Sequence, residues 1–78
     1  MYSIVNNLSM QELEKIGRNI AKIRSEKGLS QEDLAGLSDV ARNYISRIEN
    51  GKVSFSVPVL LRIIKALEIE PNILFFDV

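Results

Sequence analysis

Gln31 to Lys52, QEDLAGLSDVARNYISRIENGK, is the stretch on which the fold turns. Just before and into it, Leu29-Ser30-Gln31-Glu32-Asp33-Leu34 offers a serine cap, an acid three residues later and a leucine on either side, so a helix should run from about Gln31 to Leu37. A second helix should span Arg42 to about Asn50, with Ile45 and Ile48 facing inward and Asn50-Gly51 as its stop. Two short helices locked at a fixed angle make specific demands. A small residue in the first lets the second pack close, a residue tolerant of left-handed backbone sits in the turn, and branched apolar side chains hold the pair. Ala35, Asp39, Val40, Ile45 and Ile48 stand in those places. Arg42, Asn43, Ser46 and Arg47 are left on the outer face of the second helix.

Outward from this pair, the same starting device recurs on both sides. Ser9-Met10-Gln11-Glu12 fits the S-x-x-E capping box, with Leu8 able to staple onto Leu13, and Leu13, Ile16, Ile20 and Ile23 then make one buried stripe before Gly28 stops the helix. Gly17 interrupts that stripe at a cost of about 1 kcal/mol relative to alanine. Admission of a close neighbour is the one use the sequence suggests for it. Phe55-Ser56-Val57-Pro58-Val59-Leu60 repeats the cap and staple without the acid, and Pro58 lies in the first turn, where its missing N–H does no harm. That helix should reach about Leu67 and bury Leu60, Leu61, Ile64 and Leu67. A last short helix should start at Pro71 and carry Ile73, Leu74 and Phe75. No segment alternates with period two for long enough to make a strand. The expected fold is all-α, five helices in one domain over residues 1–78: an N-terminal arm at 1–8 and a helical bundle at 9–76.

Composition narrows the function. With no cysteine and no histidine among 78 residues, disulfides, thiolate metal sites and the commonest general base are all absent. No nucleophile and base pair up, so an enzyme is not expected, nor a metal or cofactor. No apolar run approaches the roughly 18 residues of a transmembrane span, and no export signal is visible, so the expected setting is cytoplasmic and away from membranes. The formal net charge is zero, but it is segregated. From Val40 to Lys65 the chain carries Arg42, Arg47, Lys52, Arg62 and Lys65 against Glu49 alone, whereas Ala66 to Val78 carries Glu68, Glu70 and Asp77 with no base. Phosphate responds to such a local face more than to the average.

A cationic helix face fixed by a partner helix suits the DNA major groove, whose base edges form a readable code. Here the chain resembles a known family. The segments LSQEDLA, YISRIENGK and LLRIIKALEIEP are similar in content and spacing to the helix-turn-helix of the Xre/Cro/CI repressors, over roughly Ile16 to Phe75. The resemblance implies a five-helix lambda-repressor-like domain that docks on double-stranded operator DNA as a homodimer. It implies base reading by Arg42, Asn43, Ser46 and Arg47, and phosphate contacts by Gln31, Asn50 and Lys52. It also implies a salt bridge between Arg24 and Glu49 that ties the first helix to the third. Arginine can pair in a bidentate way with guanine, and asparagine with adenine. Gln31 also stands at a helix start, where backbone N–H groups attract phosphate.

Three departures from the family pattern bear on this. Asp39 replaces the usual turn glycine, at some strain. Ala41 stands where a capping side chain is common, a loss of roughly 1 kcal/mol. Val53-Ser54-Phe55 replaces a polar, proline-containing loop and argues against phosphate contacts there. At the far end, Ile73, Leu74, Phe75, Phe76 and Val78 are too dense for one helix face to bury. Some belong to the core. Ile73, Phe75, Phe76 and Val78 are the candidate dimer interface, with Tyr2, Ile4 and Val5 as further contributors. The same apolar surface would equally serve an antitoxin that sequesters a toxin and binds DNA secondarily. Glu32 and Asp33 are either plain capping residues or a contact for RNA polymerase. The chain stops soon after the last helix, which leaves no room for an effector domain and points to a restriction-modification controller or a small phage-type repressor.

Overall fold

Three serines set the starts of three helices. The structure, a computed structural model, describes residues 9–78, so the expected arm over residues 1–8 lies outside the described part. It contains α1 (Met10–Glu26), α2 (Gln31–Ser38), α3 (Arg42–Glu49), α4 (Val57–Leu67) and α5 (Pro71–Leu74). Ser9 accepts from the Glu12 N–H at 3.1 Å while the Glu12 carboxylate accepts from the Ser9 N–H at 2.9 Å. Ser30 and Asp33 repeat the exchange at 2.9 Å in both directions. Ser56 accepts from Val59 at 3.3 Å with nothing returned. Each box satisfies donors that a helix start would otherwise leave open.

The five helices close on one apolar core. Ile16 and Ile20 of α1, Leu34 of α2, Ile45 and Ile48 of α3, Ile63 and Leu67 of α4 and Leu74 of α5 are its fully buried side chains. Phe55, just before the Ser56 cap, is buried with them, which pins the loop between α3 and α4 from inside. α2 packs on both α3 and α4, and α1 lies across α3 and α5. On α4 the buried set is Leu60, Ile63, Ile64 and Leu67, and Leu61, expected inside, is 49% exposed. The correction follows from helical spacing. Offsets of three, four and seven from Leu60 share a face, and Leu61 is turned about 100° away from it.

Gly17 has a clear role in this packing. A Cβ at that position would collide with the backbone carbonyl of Ile48 and crowd the Cα of Glu49. The glycine therefore lets the backbone of α3 lie directly against α1, closer than any side chain would allow. Between α2 and α3, Asp39 takes the left-handed conformation at φ 55° and ψ 43°, and its N–H bonds to the Ala35 carbonyl. The Val40 N–H reaches the same carbonyl at 3.1 Å. Ala41, as its side chain dictates, gives α3 no side-chain cap.

Candidate nucleic-acid interface

α3 is amphipathic in a strict sense. Ile45, Ile48 and Glu49 are buried, while Arg42, Asn43 and Arg47 are exposed and Ser46 is half-buried. Lys52 is exposed just beyond the helix, after Gly51 has turned the chain at φ 69°. Among the described residues, neither Arg42, Arg47 nor Lys52 enters an ion pair: the two pairs present are Arg18 with Glu14 and Arg24 with Glu49. The outer face of α3 therefore offers cations whose hydrogen-bonding groups point to solvent.

Behind that face lies a buried polar frame. The Arg24 Nε donates to Glu49 Oε2 at 2.7 Å and its Nη2 donates to Oε1 at 3.1 Å, a bidentate pair with the two side chains only 15% and 4% exposed. The remaining guanidinium arm, Nη1, donates to the Leu29 carbonyl at 2.7 Å. The hydrogen bonds that Arg24 donates to Glu49 raise its pKa above the ordinary value, burial opposes the rise, and the charge of Glu49 adds to it. A carboxylate this deep is tolerable because it is paired on both oxygens. Its neutralisation also removes a negative charge that would otherwise sit beside the cationic face.

Gln31 belongs to the same frame. Its Nε2 donates to Glu49 Oε1 at 2.9 Å, so this half-buried side chain is held from behind by the acid that Arg24 neutralises. Asn50 is likewise engaged: its Nδ2 donates to the Ser46 carbonyl at 2.9 Å and braces the last turn of α3. The Asn50 Nδ2 also reaches the Ser46 hydroxyl at 3.5 Å, so Asn50 keeps its oxygen for other partners, and Gln31 keeps its oxygen and its second N–H. Tyr44, not singled out from the sequence, is half-buried and donates its hydroxyl proton to the Ser54 carbonyl at 3.1 Å. It ties α3 to the loop that leads into α4. The signal was an aromatic ring with a polar tip set between a polar and a buried position.

The C-terminal segment is apolar and partly exposed among the described residues. Leu74 is fully buried, Phe75 is half-buried, and Ile73, Phe76 and Val78 are exposed, Phe76 to 74%. From α1, the Asn19 Nδ2 donates to the Leu74 carbonyl at 2.8 Å and to the Phe76 carbonyl at 3.0 Å. The described residues hold no cluster of acids that could bind a metal, and no helix among them is long and apolar enough to cross a membrane.

Comparison with known proteins bears on this arrangement. A helix-turn-helix family model matches residues 20–74. The control protein C.MunI of a Mycoplasma species is 42% identical over 65 residues, which is 82% of this chain and 88% of that protein. The ImmF control region 10 kDa protein of Bacillus phage phi105 is 35% identical over 83% of this chain and 72% of its own length. Among solved structures, the restriction-modification controller C.AhdI of Aeromonas hydrophila superposes with a TM-score of 0.80 at 42% identity, covering 83% of this chain and 98% of that one. The controller C.Esp1396I, solved as a tetramer on its natural 35 base-pair operator, superposes with a TM-score of 0.76 at 42% identity over 82% of this chain and 84% of that one.

Proposed function

The chain belongs to the Xre/Cro/CI type of the helix-turn-helix family, a family of DNA-binding regulators and not of enzymes, and from that premise we propose that it is a sequence-specific transcriptional regulator that binds a palindromic operator as a homodimer. The observation that carries the proposal is α3 itself. Its cations and Asn43 are exposed with no partner among the described residues, and its opposite side is fixed to α1 through Gly17 and the Arg24–Glu49 pair. Rigid presentation of arginine and asparagine is what direct readout requires. The controller relatives, one of them captured on its operator, support the same reading.

In this reading Arg42, Asn43, Ser46 and Arg47 meet base edges. Gln31, Asn50 and Lys52 meet phosphates, the two amides through the groups their internal bonds leave open. Ile73, Phe75, Phe76 and Val78 join two copies so that their α3 helices enter successive major grooves, roughly 34 Å apart. Residues 1–78 act as one domain, in the cytoplasm. Regulation of restriction-modification genes is the role the controller relatives support.

Selection of bound sequences from random DNA, repeated at two salt concentrations, tests the proposal; it should recover a two-fold symmetric motif whose affinity falls steeply with salt. Arg47→Ala should relax preference at one position of that motif at a cost of about 1–3 kcal/mol, whereas Gln31→Ala weakens all sequences alike. Recovery of no motif refutes sequence-specific regulation. Equal losses on operator and random DNA for Arg47→Ala would remove its base-reading role.

A further inference from the structure

α5 is four residues long, and one turn of helix does not hold itself together in water. Yet this segment carries Ile73, and its continuation carries Phe76 and Val78, the exposed apolar side chains of the C-terminal face. Leu74 anchors it to the core on one side. The second anchor is polar. Asn19, in the middle of α1 and 55 residues away in the chain, donates one amide hydrogen to the Leu74 carbonyl at 2.8 Å and the other to the Phe76 carbonyl at 3.0 Å. The last carbonyls of a helix have no partner within it, and an NH2 group has two donors to give. One side chain thus completes the end of α5 and fixes the pitch at which Phe76 leaves the body. Asn19, Lys22, Ile23 and Glu26 of α1 form a shallow groove of about 150 Å³ with Ile73 and Phe76.

We propose that Asn19 is the positioning residue of the self-association surface, and that the occupant of this surface is a second copy of the chain. The inference rests on the homodimer reading given above and adds to it the residue that sets the interface geometry. A two-fold interface uses the same patch on both copies, so an error in the pitch of one segment enters twice. Holding the segment before association also removes an ordering cost from the binding step, again twice per dimer. Asparagine is an indifferent choice for the interior of a helix, and its pair of bonds to the α5 end accounts for its presence there.

Sedimentation equilibrium of the full chain without DNA, for wild type, Asn19→Asp, Asn19→Ala and Phe76→Ala, tests the proposal, with helix content and melting followed by circular dichroism. Asn19→Asp turns a carboxylate toward two carbonyl oxygens, and Asn19→Ala simply deletes the donors. Both should raise the dimer dissociation constant by roughly tenfold or more at a temperature where the variants remain folded, and Phe76→Ala should do so without lowering the melting temperature. If Phe76→Ala weakens the dimer and both Asn19 variants lower only the melting temperature, Asn19 is merely structural and the proposal fails. If Phe76→Ala leaves the dissociation constant unchanged, the C-terminal face is not the interface, and the homodimer geometry fails with the proposal. Should Asn19→Asp not fold, Asn19→Ala alone decides.

Discussion

Two regions packed on the same helix, α1, solve opposite problems. Around α2 and α3 a carboxylate is buried and cations are left outside; around α5 apolar side chains are left outside and a single amide holds the backbone. The first region is fixed by what lies behind it: Gly17 against Ile48, and Arg24, Gln31 and Leu29 around Glu49. The second has one buried anchor, Leu74, and one polar clamp, Asn19. In the proposed function, a face that reads DNA must be finished before it binds, whereas a face that meets a copy of itself can leave part of its burial to the encounter.

That contrast can be broken most forcefully at Glu49. Glu49→Ala strands the Arg24 guanidinium in a largely buried position and should cost about 3–5 kcal/mol in urea unfolding. A loss as small as that of an exposed ion pair would mean that the frame behind α3 is not what holds it. Next in size, Gly17→Ala drives a methyl group into the Ile48 carbonyl and should cost about 2–3 kcal/mol, because α1 and α3 must separate along their whole contact. Asp39→Gly sharpens the comparison in the opposite direction. It relieves a non-glycine residue at φ 55° and should stabilise the turn by about 0.5–1 kcal/mol in the same assay.

The smallest effect is set by pH. The backbone and hydroxyl hydrogen bonds from Ser30 hold the Asp33 carboxyl below the usual aspartate range. A carboxyl whose folded pKa is depressed contributes stability that is fully present above its unfolded value and is lost as the pH falls through the folded one. The stability difference between wild type and Asp33→Asn should therefore be flat above about pH 4 and shrink steadily below it. A difference unchanged down to strong acid would show that the α2 box does not depend on the charge.

Local signals made most of the fold legible. Serine caps, apolar spacing and the Asp39 turn depend on residues within one or two helical turns of each other, and all five helices lie where those residues put them. What escaped the sequence reading involved distant partners. Gly17 suggested a close neighbour but not which one, because the α3 backbone that fills the place is not contained in the local pattern. Gln31 was assigned outward from its place at a helix start, and its bond to Glu49, 18 residues on, is visible only once α2 and α3 are crossed. Leu61 failed for a simpler reason: Leu60 and Leu61 look equivalent in a run of apolar residues, and the packing of α4 on α2 chooses between them. Asn19 gave no signal, since its partners are backbone carbonyls that carry no sequence identity.

The contact between Gly17 and Ile48 also decides where compliance lies in a complex. At Gly17 backbone meets backbone, so at that point no side chain can change rotamer to let α3 tilt on α1. In the proposed complex, a mismatch between the span of two such helices and the pitch of an operator would be absorbed by the duplex, and base pairs outside the reach of α3 would enter the affinity through the energy needed to twist or bend them.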